Sequence, residues 1–97
     1  MTDDLDDWPF DQTPTTAALT VRAVLEGDPI LYVSHDADDD GWQFLDGRPV
    51  EVAEGRVIAM HEALRLDPGL RSIADLEPGW IARRRSPTEP WTRERHP

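Results

Sequence analysis

Ninety-seven residues hold one domain, because too little chain remains after a first hydrophobic core to bury a second. A hydrophobic content of 38% with no cysteine excludes a disulfide framework, a thiol nucleophile and a Cys-based zinc site, and leaves stability to packing. No apolar run approaches the ~20 residues that cross a bilayer, and no basic start leads into an apolar h-region, so the expectation is a protein that stays in the cytoplasm with no membrane partner.

The net charge of -10 is unevenly placed. Residues 1–50 carry twelve Asp and Glu against Arg22 and Arg48 alone, whereas residues 51–97 balance eight acids with eight arginines. An acidic half repels nucleic acid and attracts basic surfaces, which favours a basic protein as partner.

In chain order, residues 1–7 have too little apolar surface to offset their ordering entropy and are expected as a disordered acidic N-terminus. Trp8-Pro9-Phe10 then supplies two aromatics able to anchor an extended segment. From Leu19 to Glu26 the chain alternates, with Leu19, Val21, Ala23 and Leu25 on one face and Thr20, Arg22, Val24 and Glu26 on the other. Gly27-Asp28 is a hairpin signal, lengthened by Pro29, and leads into a second strand from Ile30 to His35. With the acidic loop and a third strand from Gly41 to Leu45, these segments predict a three-stranded antiparallel meander.

Val57, Met60, His61 and Leu64 fit one helix, but Arg56 to Ala59 fit equally a short strand entering a helix at about Met60, the preferred reading. Asp67-Pro68 opens a short helix, with Asp as N-cap, Pro at the first position, and Leu70, Ile73 and Ala74 on one side. Pro78-Gly79 ends it, and Trp80 to Arg85 alternate as a last strand. Residues 86–97 read as an irregular tail whose Trp91 tucks back. The predicted architecture is α+β: a small single domain over residues 8–85, an antiparallel β-sheet (meander) with one or two short helices on one face.

Asp36, Asp38, Asp39 and Asp40 crowd into one turn and run directly into Trp42. Asp36-x-Asp38-x-Asp40-Gly41 matches the start of an EF-hand calcium loop, but the twelfth position, where a bidentate Glu belongs, is Gly47. No tight calcium site and no cofactor are therefore expected. Ser34-His35-Asp36 has the letters of a catalytic triad, yet on a strand Ser34 and His35 point to opposite faces. His61 reads as a core or boundary residue, and Arg83-Arg84-Arg85 as arginines pairing with the chain's own acids or lying in solvent. The four tryptophans serve as core, with Trp42 and Trp80 expected buried, although an aromatic beside an acidic turn also suits a binding surface.

Trp8-Pro9-Phe10-Asp11-Gln12, Thr20-Val21-Arg22, Pro29 to Asp36, Trp42 to Leu45, Leu66-Asp67-Pro68 and Ala74-Asp75-Leu76 to Pro78-Gly79-Trp80 give the chain the look of an uncharacterised family of small bacterial proteins, which it resembles over most of its length. Through Asp40-Gly41-Trp42-x-Phe44, Asp67-Pro68 and Gly79 to Arg83 it is more distantly similar to a domain-of-unknown-function family grouped with polymorphic-toxin immunity proteins. The nearer resemblance implies order from Trp8 onward and carries no activity over to this chain; the distant one suggests toxin neutralisation. The functional expectation is a non-catalytic, immunity-like or accessory binding protein covering a basic partner through Asp36, Asp38, Asp39, Asp40 and Trp42. The alternative is a small-ligand or metal-binding domain using the loop 36–40.

Overall fold

The computed structural model describes residues 8–96, so the expected disorder of residues 1–7 lies outside the described residues. Six strands form one sheet: β1 Ala17–Val21, β2 Tyr32–His35, β3 Trp42–Leu45, β4 Gly55–Ala59, β5 Trp80–Arg83 and β6 Thr92–Arg95. Their spatial order is β4-β1-β3-β2-β5-β6, antiparallel throughout except for the parallel β1–β3 pair. Helix α1 (Arg22–Leu25), helix α2 (Met60–Leu66) and a 3-10 turn (Pro68–Ile73) bury Val24, Met60, Ala63, Leu64, Leu70 and Ile73 in one cluster with Phe44, Val33 and Ala82 of the sheet. The expected α+β domain, with a mostly antiparallel sheet and short helices on one face, is therefore present.

The local signals that held are those with a physical stop or start. β2 and β3 form the predicted hairpin around the acidic turn, pairing His35 with Trp42 and Tyr32 with Leu45. The strand-then-helix reading of residues 56–66 is found with the switch at Met60, where the Glu62 carboxylate accepts from the Ala59 N–H at 3.0 Å. Asp67 caps the next turn by accepting from Gly69 N at 2.8 Å with Pro68 in first position, although the turn winds as 3-10 and not as an α-helix.

Three expectations are corrected. The first is the meander: β1 does not form a hairpin with β2, because Arg22–Leu25 coils into α1 and β3 inserts between the two strands. Asp28 N donates to Ala23 O at 3.0 Å, which closes the helical turn where a strand was expected to continue.

The second is the alternation expected from Leu19 to Glu26, since Val21 is buried but Leu19, placed on the same face, is not. Ala18 and Thr20 face the core, while Leu19 is 46% exposed. Burying Thr20 is tolerated because its hydroxyl donates to the Phe44 carbonyl at 2.6 Å, so that hydroxyl is not left unpaired inside.

The third is the tail. Residues 86–97 contain β6, which pairs with β5 and carries the ordered domain past residue 85. All four of its residues are exposed, so no apolar periodicity announces it. The backbone ladder is joined by the Arg83–Glu94 ion pair and by Arg93 to Asp75 at 2.7 Å. Trp91 does tuck back, packing against the core with the Arg84 guanidinium 4.1 Å above its ring.

Candidate functional site

The four aspartates of the acidic turn diverge. Asp39 closes the turn itself, its carboxylate accepting from Gly41 N at 2.9 Å, and Asp40 sits in the left-handed region at φ 60. Asp38 is exposed. Asp36 turns toward Ser34 and Gln43, and Asp40 toward His35 and Gln12. Among the described residues no group of three or more His, Cys, Asp or Glu is placed to hold a metal ion. Ser34 and His35 do point to opposite faces, Ser34 bonding Asp36 at 3.3 Å while His35 faces the core.

On the core side, His35 is 4% exposed and sits in a polar network. Its Nδ1 lies 2.6 Å from the Leu76 carbonyl, an acceptor only, and its Nε2 lies 2.6 Å from Asp40 Oδ1. Both ring nitrogens thus lie within hydrogen-bond distance of an oxygen partner, so neither is left unpaired inside the protein. Gln12 completes the circuit: its amide donates to Asp40 Oδ2 at 2.8 Å, its side-chain oxygen accepts from Trp42 Nε1 at 2.8 Å, and its backbone carbonyl accepts from Trp8 Nε1 at 2.6 Å. These hydrogen bonds, from Gln12 and then from His35, hold the Asp40 carboxyl below its usual range.

The Trp42 ring stacks on His35 with centroids 4.2 Å apart and meets Phe10 edge-on at 5.0 Å. At 2% exposure it belongs to the core. Of the predicted partner-facing residues, Trp42 is thus enclosed in the core, whereas the Asp40 side chain stays exposed while bonding His35 and Gln12. Trp80, expected buried, is half-buried, with Arg95 over its ring at 5.9 Å.

The other face of the sheet is exposed at its β4 edge, whereas Ser34, Leu45 and Ile81 on the same face are buried. Register places Val57, Leu19, Gln43, Ser34, Ile81 and Glu94 in one row across all six strands. At the β4 end the row is bare, with Val57 68% exposed beside Leu19. Toward the middle, a cavity of about 440 Å³ is floored by Tyr32, Ser34, Gln43 and Leu45, walled by the loop 47–50 and His96, and reached by Asp36. Ser34 and Gln43 donate to separate Asp36 oxygens, at 3.3 and 3.0 Å. The polar residues at alternate positions Ser34, Asp36 and Gln43 were the available sign of this outward face; nothing in the sequence marked Gln12 as the bridge between Trp42 and Asp40.

The arginine run splits three ways. Arg83 pairs with Glu94; Arg84, almost fully buried, pairs with Asp67 and donates to the Ile30 carbonyl at 2.8 Å; Arg85 is exposed. Among the described residues no helix is long and apolar enough to cross a membrane. No protein family, curated protein or solved structure matches the chain.

Proposed function

We propose that the protein is a non-catalytic binding protein that covers a basic protein partner, in the manner of an immunity or accessory protein, and that it does so with the open face of its sheet. One observation carries the reading: the core-forming helices lie on one face, leaving Leu19 and Val57 side by side and exposed on the other. Exposed apolar residues grouped in this way, next to a cavity, mark an interaction surface more than an accident of composition. A chain of net charge -10 favours a basic occupant, drawn in by the long-range field before apolar contact forms.

The test is capture from native lysate with the tagged wild type and a Leu19→Glu/Val57→Glu double variant, followed by mass spectrometry. The expected result is a basic protein retained by the wild type and lost by the variant, whose circular dichroism and melting temperature stay near wild type. Equal capture by both chains would reject the sheet face. A second copy of the chain as occupant would show as a concentration-dependent dimer in light scattering, weakened by the same variant.

The cavity favours a second reading, because about 440 Å³ lies within the size range of small-molecule sites. A thermal upshift with a neutral metabolite-sized compound, unaffected by the Leu19→Glu/Val57→Glu variant, would support it over the first.

A further inference from the structure

We infer that the cavity beside Asp36 seats one cationic side chain, an arginine or lysine of the basic partner, with the Asp36 carboxylate as its counter-ion. The inference rests on the binding reading above and adds its anchoring subsite. Among the described residues Asp46, Glu54, Asp67, Asp75 and Glu94 each pair with an arginine, whereas Asp36 has only the neutral donors Ser34 and Gln43. A half-buried carboxylate held by one neutral donor on each oxygen is oriented but not neutralised. It keeps lone pairs for a further donor, and a charge-assisted bond from a cation is the strongest it can accept.

The walls suit the rest of such a side chain. Leu45, Pro49 and Val50 are apolar, and Tyr32 offers an aromatic surface, so a long aliphatic stem can lie against them while its charged end reaches Asp36. Arg48 also lines the cavity, but its guanidinium is engaged by Asp46 at 2.6 Å and Asp28 at 2.5 Å, which removes it as a competitor for Asp36. His96 closes the far side. At the same end of the sheet Asp38 and Asp39 extend the negative field over the approach.

The experiment is a titration of the ¹⁵N-labelled protein, followed by its amide spectrum, with N-acetyl-arginine amide, N-acetyl-lysine amide and the neutral N-acetyl-norleucine amide. Saturable shifts at Ser34, Gln43 and Val50 are expected with the two cationic probes, weak as befits single residues, and not with norleucine. Tighter binding of arginine than lysine would point to a bidentate contact, and equal binding to a point charge.

Asp36→Asn should weaken the cationic probes at least about tenfold, since each factor of ten is the loss of one good charged contact. Asp38→Asn should change binding less than about twofold, as an exposed charge contributes little. If Asp36→Asn disturbs the fold, Val50→Arg provides the check: half-exposed at the cavity rim, it should expel the probes by placing a cation there.

Probe shifts that ignore both Asp36→Asn and Val50→Arg, or that norleucine reproduces, would overturn the subsite. If they do so while the Leu19→Glu/Val57→Glu variant still loses the lysate partner, only the subsite fails. If the probes bind as expected and partner capture ignores the sheet-face variant, the docking reading fails instead.

Discussion

Thr20 and Leu19 are adjacent on β1, yet the threonine is buried and the leucine is half exposed. The same inversion recurs one strand pair away, where His35 is buried in a charged network and Asp36 faces an open cavity. Hydropathy does not sort these residues. The helices cover the face that carries Thr20, Phe44, Val33 and Ala82, and leave the face that carries Leu19, Val57 and Gln43. The covered face must pair the polar groups it encloses, and it pairs the Thr20 hydroxyl and the His35 ring, while the Trp91 indole N–H is buried without a partner. The open face has no such obligation and can keep apolar surface and an unneutralised carboxylate for a partner.

The sharpest way to break this contrast is to truncate one aromatic on the covered face and one aliphatic on the open face. Trp42→Ala removes the ring between His35 and Phe10 and should cost about 3–5 kcal/mol in urea denaturation, enough to unfold a domain this small. Val57→Ala on the open face should stay within about 0.5 kcal/mol. Similar losses at the two positions would mean that both faces are structural.

Next in size is the acidic turn. Asp40→Asn replaces the carboxylate that bonds the buried His35 ring and the Gln12 amide with a neutral group and should lower the melting temperature clearly, whereas Asp38→Asn should leave it unchanged.

The pH response follows from the direction of the Asp40 shift. Its carboxyl is held lower in the folded chain than in the unfolded one, so the unfolded state takes up the proton first as pH falls. The stabilisation from Asp40 is therefore complete above the ordinary carboxylate range and is lost in acid, through the depressed folded value. An acid-unfolding curve measured by tryptophan fluorescence should show that Asp40→Asn flattens part of this acid limb while leaving the neutral limb parallel to wild type.

The smallest effect is expected where the turn faces solvent. Neutralising Asp38 and Asp39 together as asparagines keeps the Asx turn and should slow association with a basic partner a few-fold at low salt, an effect that vanishes as added salt screens the field beyond about 8–10 Å. Stopped-flow rates at two salt concentrations check this. Asp40 is left intact in that variant because its replacement would confuse steering with stability.

Much of the framework was legible because its signals act within a few residues. The β2–β3 hairpin follows from two apolar runs around a polar turn, the switch at Met60 from a change of hydrophobic period, and the turn after Asp67 from a cap followed by proline. Trp42 was legible as core from its place on a strand in a small domain; the suggestion that it also faced a partner gave way once His35 and Phe10 enclosed it. β6 was not legible, since Thr92 to Arg95 have no apolar face and their order comes from the β5 backbone and two ion pairs.

By itself, then, the sequence determined a single small α+β domain, its central hairpin, the starts of α2 and of the turn after Asp67, and its acidic character. Only the tertiary structure decided that β3 lies between β1 and β2, which face of β1 is covered, and that Asp36 and Asp40 serve opposite sides of one sheet. The physical reason is range. Caps, turns and periodicity are set by neighbours along the chain, whereas burial and charge pairing are set by whichever distant segments arrive on each face, as Gln12 and Leu76 do at the acidic turn.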